Sequence, residues 1–87
     1  MNISRHEQRA LHVLALGGRI LHAREGGPKI TTVTCFTREG MILADFDMAI
    51  FARLRRKRLI ESRAGGPYHI SKHGRLSVRA QLNNQGG

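Results

Sequence analysis

The chain has 87 residues, 40% of them hydrophobic, and its 15 Lys and Arg against 6 Asp and Glu give a formal net charge of +9. That length accommodates one small core and no second one. No apolar stretch approaches the roughly 20 residues of a membrane span, the polar opening MNISRHEQR is not a signal-peptide pattern, and the regular recurrence of Leu, Ile, Val and Phe excludes intrinsic disorder.

Ser4, followed three residues later by Glu7, has the reciprocal spacing of a helix-initiating capping box. A helix is predicted over about Arg5 to Leu16, with Ala10, Leu11, Val13, Leu14 and Ala15 on its apolar arc and Arg5, Gln8, Arg9 and His12 opposite. Gly17-Gly18 supplies a left-handed stop. The period then changes. RILHAR and KITTVTCF, separated by EGGP, read as a β-hairpin, and MILA after TREG reads as a third strand, which predicts a small antiparallel meander across about Arg19 to Ala44.

Asp45 and Asp47 are alternative N-caps for a second helix over about Met48 to Lys57. Its predicted apolar side is Met48, Ile50, Phe51 and Leu54, and its solvent side Ala49, Arg53, Arg56 and Lys57. LIESR, the turn AGGP and YHIS predict a second hairpin with Ile60, Tyr68 and Ile70 pointing inward. Ser71 caps a last helix through about Leu82, although Gly74 weakens its first turn by about 1 kcal/mol relative to alanine. One domain over residues 1–83 and a flexible tail over 84–87 are expected.

The fold class expected from this order is α+β, winged helix-turn-helix-like, with three helices and two small antiparallel hairpin or meander elements. The stretch KRLIESRAGGPYHISKHGR carries that expectation, because an exposed helix runs into a glycine-tipped wing whose second strand ends in a Ser-capped helix with a glycine nearby.

The chain also resembles the YjhX family of small bacterial proteins. The likeness lies in Met1-Asn2-Ile3-Ser4-Arg5 with Glu7-Gln8-Arg9, Leu11-His12-Val13-Leu14-Ala15, Gly17-Gly18, Arg38-Glu39-Gly40, Leu59-Ile60, Pro67-Tyr68 and Arg79-Ala80-Gln81-Leu82. These segments spread over residues 1 to 82, while the region from Arg19 to Ile30 is where family sequences look most divergent. The resemblance implies a toxin of a toxin-antitoxin pair that inhibits DNA topoisomerase I and is neutralised by an acetyltransferase-like antitoxin. It carries over no catalytic or binding residue.

Arg53, Arg55, Arg56, Lys57 and Arg58 form the densest charge run, of the kind that neutralises phosphates and releases counterions. The bland alternative is a solvated face whose cations complement the helix dipole. Arg63 and His69 on the second hairpin, with Lys72 and Arg75 just after it, extend the basic surface, and nucleic acid or an acidic partner is its expected ligand. Asp45 and Asp47 at the opposite end of the same helix disfavour direct base readout.

Other chemistry finds little footing. Cys35, in TTVTCFT, reads as a small buried apolar residue, and as a lone cysteine it permits neither an intrachain disulfide nor a four-thiolate site. His69 and His73 have i, i+4 spacing but fall on a strand and a helix start, which removes the geometry of a metal pair. Ser4 and Ser71 are explained as caps, and Ser62 and Ser77 lack a His and carboxylate pattern. Gly26-Gly27-Pro28 and Gly65-Gly66-Pro67 are turns rather than phosphate loops. The expectation is a cytoplasmic, non-enzymatic binder without metal or cofactor. It blocks a topoisomerase, with duplex DNA a further contact, or as the alternative acts as a DNA-binding autoregulator working as a homodimer.

Overall fold

A computed structural model describes residues 3–85, with side chains through Arg79. The element order is α1 (Arg5–Ala15), β1 (Arg19–Arg24), β2 (Ile30–Phe36), α2 (Met48–Arg56), β3 (Ile60–Ser62), β4 (Tyr68–Ile70) and α3 (Lys72–Gln85). The class is α+β, with three helices and one open, four-stranded antiparallel sheet in the order β2-β1-β4-β3.

α1 starts as its cap requires. The Glu7 backbone N–H donates to Ser4 Oγ at 3.2 Å, and the Ser4 N–H donates back to Glu7 Oε1 at 3.4 Å. The helix ends in a Schellman motif, with Gly18 N–H donating to the Val13 carbonyl and Gly17 N–H to that of Leu14, Gly17 being left-handed at φ 110°. Its buried stripe is Glu7, Ala10, Leu11 and Leu14, so the residue at the start of the apolar face is an acid.

The two hairpins expected from the sequence share one sheet. Ile20 of β1 pairs with Tyr68 of β4 and joins them into one sheet. One face supplies Ile20, Cys35, Ile60 and Ile70 to the core, while Leu21, Glu61 and His69 at alternate positions are exposed. The expected third strand of the meander does not form. MILA makes a single bridge, Ile42 to Phe36, and Met41 and Ile42 are both 68% exposed. The turn explains this: Met41 is tied back to Thr37 by Met41 N–H to Thr37 Oγ1 and by Thr37 N–H to the Met41 carbonyl, which turns the chain away after one pair. β2 is therefore an edge strand, covered only near Cys35 and Phe36 among the described residues.

α2 takes Asp47 as its N-cap, Oδ1 accepting from Ile50 N–H at 2.9 Å, whereas Asp45 sits before it at φ 64°. Ile50, Phe51 and Leu54 are buried as expected. Met48 is not, because the first residue of the helix projects beyond the core and is 37% exposed. The helix terminates in the same pair of bonds as α1, Leu59 N–H to the Leu54 carbonyl and Arg58 N–H to that of Arg55, but here the left-handed residue is Arg58, at φ 59°. A side chain in that conformation costs roughly 1–2 kcal/mol that glycine would not.

β3 and β4 are closed by a turn in which Ala64 and Gly65 both have positive φ and Gly66 N–H donates to the Arg63 carbonyl. Ser71, between β4 and α3, is a hub. Its Oγ accepts from Gly74 N–H at 3.0 Å and donates to the Arg58 carbonyl at 2.7 Å, and its own N–H donates to the Leu59 carbonyl. α3 continues to Gln85, past the expected end at Leu82 and into the segment expected to be loose; residues 86–87 lie outside the described residues.

The core consists of Ala10, Leu11, Leu14, Ile20, Ile30, Cys35, Ile50, Phe51, Leu54, Leu59, Ile60 and Ile70, with Tyr68 and Val78 packed on it from the side. Gly74 is where α3 approaches most closely. A Cβ there would overlap the Leu59 carbonyl oxygen and come within 2.7 Å of Ile70 Cγ1, so the low helix propensity of glycine is the condition for docking this helix. Gly74→Ala is accordingly expected to destabilise by about 1–3 kcal/mol despite its better propensity. Gly27→Ala, facing open space, should stay within about 0.5 kcal/mol of the parent in urea denaturation.

Candidate anionic-ligand interface

The cationic run of α2 divides into three groups once folded. Lys57 and Arg53, one turn apart, face α1. Lys57 Nζ lies 2.6 Å from Glu7 Oε2 and Arg53 Nη1 lies 3.7 Å from Glu7 Oε1, while the Glu7 side chain is only 2% exposed. The solvent-facing position predicted for Lys57 is thus corrected: its side chain is 24% exposed and engaged with a carboxylate the core has taken in. Arg55 lies over two rings, 5.4 Å from the centroid of Phe51 and 5.8 Å from that of Tyr68, which themselves meet edge to face at 5.0 Å. Arg56 and Arg58 are exposed and make no ion pair among the described residues.

Burial pushes the Glu7 carboxyl up, but the hydrogen bonds from Lys57 and Ser4 and the Lys57 charge together outweigh it and hold the carboxyl below its ordinary value. Burial raises the Cys35 thiol to about 11, which leaves it protonated and unreactive at neutral pH.

The residues expected on the wing do come together. Arg63, His69, Lys72 and Arg75 line a cleft of about 520 Å³ with Glu61 and Ile70, at the junction of the β3–β4 hairpin and the start of α3. Three permanent cations thus face one carboxylate, with Glu61 directly across the ladder from His69. Ile70, itself 5% exposed, is the one apolar residue in the lining. The Ser71 bonds fix Arg58 and Leu59 against the start of α3, so the end of α2 adjoins this cleft. Such a surface suits phosphate oxygens or a cluster of carboxylates.

Elsewhere the chemistry is sparse. Among the described residues no three His, Cys, Asp or Glu side chains are grouped so as to hold a metal ion. His22 packs edge-on against Tyr68 at 5.2 Å, with its Nδ1 buried and without a hydrogen-bond partner among the described residues. Among the described residues no helix is long and apolar enough to cross a membrane.

Comparison with known proteins places this small α+β chain and its cationic cleft in a family. The family model YjhX_toxin, described as "Putative toxin of bacterial toxin-antitoxin pair", matches residues 1–85, and the chain belongs to that family. A toxin of such a pair has an antitoxin as its partner.

Several similar relatives carry the family name UPF0386. One from Cereibacter sphaeroides is 78% identical over 86 residues, spanning 99% of both chains. Another from Rhodospirillum rubrum is 72% identical over 99% of this chain and 96% of its own. A third from a Ruegeria species is 60% identical over 98% of this chain and all of its own. No solved structure matches the chain significantly.

The Glu7 pair yields a stability test. Lys57→Ala leaves a buried carboxylate with the Ser4 N–H and Arg53 at 3.7 Å but no close counterion, and is expected to cost about 3 kcal/mol, with Arg56→Ala near neutral, in urea denaturation. Because the folded carboxyl is held down, its contribution is present above the unfolded value near 4.5 and is lost as pH falls through the folded one. Acid titration of stability below about pH 4.5 should be shallower in Glu7→Gln than in the parent.

Proposed function

We propose that this chain is a non-enzymatic toxin that binds and inhibits DNA topoisomerase I by occlusion, using the cationic surface at the junction of α2, the β3–β4 hairpin and α3. The α2–hairpin–α3 unit serves as a winged helix-turn-helix-like scaffold. In support, α2 passes through Leu59-Ile60 directly into the hairpin, whose second strand leads into a Ser71-capped helix with Gly74 at its first turn. The observation that carries the reading is the cleft itself, where cations from two elements converge, with Arg58, which has no ion pair among the described residues, joined to the start of α3 through Ser71.

The mechanism is physical rather than chemical. A net charge of +9 steers the chain onto an anionic target at a rate that falls with salt. The rigid hairpin and helix start then fill space that the enzyme or its DNA needs. The antitoxin, acetyltransferase-like by the family resemblance, relieves inhibition by competing for the toxin. The N-terminal end of α2 does not favour base reading, since the Asp47 carboxylate is spent on Ile50 N–H and Asp45 stands beside it.

A supercoil-relaxation assay with topoisomerase I, run beside a gel shift on the gene's own promoter, tests this. Relaxation should be inhibited at concentrations that give no sequence-selective shift. Joint reversal of Arg63, Lys72 and Arg75 to Glu should weaken inhibition at least about tenfold, on the scale of several charge-assisted contacts. A selective promoter shift with undisturbed relaxation would overturn the reading in favour of an autoregulator.

A further inference from the structure

We propose that Arg58 is a dedicated phosphate-binding residue, kept in a disfavoured backbone conformation, and that it and the adjoining cleft grip the sugar-phosphate backbone of duplex DNA. This rests on the reading of that surface as the binding face and goes further by naming its ligand.

α1 and α2 end in the same two hydrogen bonds, and both place the next residue at positive φ. α1 uses Gly17 there, the residue the geometry prefers, whereas α2 uses Arg58. Ten glycines occur in the chain, so glycine is no stranger to its turns. Nothing within the fold repays the arginine: it is exposed and has no ion pair or ring contact among the described residues. Its backbone is nevertheless pinned on both sides, its N–H to the Arg55 carbonyl and its own carbonyl to Ser71 Oγ at 2.7 Å. The result is an arginine whose backbone is held at the start of α3, next to Ser71. Asp45 and Ala64 share the conformation, so what singles out Arg58 is the combination of that backbone cost with an exposed guanidinium that has no ion pair among the described residues, held next to a cationic cleft.

The chemistry of the surroundings selects that ligand. The cleft is charged apart from the buried Ile70 and offers none of the apolar anchors typical of protein hot spots, so of an enzyme–DNA complex it suits the DNA component. Single strands need aromatic platforms on which bases stack, and no Phe or Tyr lines it. Arg63, Lys72 and Arg75 in the cleft, with Arg58 joined to the start of α3 through Ser71, supply the cations that successive phosphates require.

The test measures the full chain with Arg58→Gly, Arg58→Ala and Arg58→Lys, by thermal melting and by anisotropy with a 20-base-pair duplex across 50–200 mM KCl. R58G should melt about 4–8 °C above R58A, since both lose the guanidinium and only glycine relieves the backbone. Both should bind the duplex about 5–10-fold more weakly, with the log–log salt slope reduced by about 1, and R58K should keep that slope. Equal melting of R58G and R58A, or unchanged affinity and slope in both, overturns the proposal. So does a parent protein that inhibits relaxation without binding the duplex, which would leave topoisomerase inhibition standing and make the ligand an acidic protein surface. Duplex binding without inhibition would do the reverse.

Discussion

Glu7 is the interaction on which the rest of the arrangement turns. Its backbone N–H is capped by Ser4, its Oε1 returns to the Ser4 N–H and reaches Arg53, and its Oε2 receives Lys57. One carboxylate therefore starts α1 and ties it to the last turn of α2. A buried ion pair is a poor source of net stability compared with an apolar replacement, but it is intolerant of misplacement. Here it fixes the rotation of α2, since Arg53 and Lys57 must face α1 while Ile50, Phe51 and Leu54 enter the core. With that rotation set, Arg56 and Arg58 are left to solvent, and Arg55 is laid over the Phe51 and Tyr68 rings.

The same constraint changes how the charge is to be understood. Five cations in six positions look like one basic face, yet two are committed to holding the helices together and a third to ring packing. The free charge is displaced toward the C-terminal end of α2 and the wing. There Ser71 binds the left-handed Arg58 to the start of α3, and the cleft residues come from strands and helix alike. The exposed positive charge thus gathers at a corner where three elements meet rather than along the flank of one helix.

Local chemistry made much of this legible in the sequence. Ser4 with Glu7, Gly17-Gly18, Asp47 and Ser71 announce helix ends because capping depends on residues within four positions. Both hairpins were marked by glycine-proline turns between β-branched runs. Long-range features were not marked in this way. Nothing in LIESR or YHIS says that Tyr68 pairs with Ile20, and the strand-like MILA fails because the Thr37–Met41 turn leads it away from the β2 edge. The burial of Glu7 did leave a trace, since 7, 10, 11 and 14 share a helical stripe, but its cap role already seemed to account for it. That Lys57 is its counterion follows only from the packing of α1 on α2. The cleft was legible as a list of cations, not as a shape.

The open side of β2 has a consequence of another kind. Residues 30–34, Ile-Thr-Thr-Val-Thr, are uncharged and strand-forming, and among the described residues they have no neighbour on their outer edge. Such edges recruit further strands, and proteins commonly guard them with a lysine or proline. This chain has both only at the entrance, Pro28-Lys29, and leaves the deterrent to its overall positive charge. That deterrent is a matter of ionic atmosphere: it reaches about 10 Å at 0.1 M salt and about 3 Å at 1 M. The electrostatic surplus is thus also what keeps sister molecules from zipping together, and added salt should weaken that protection.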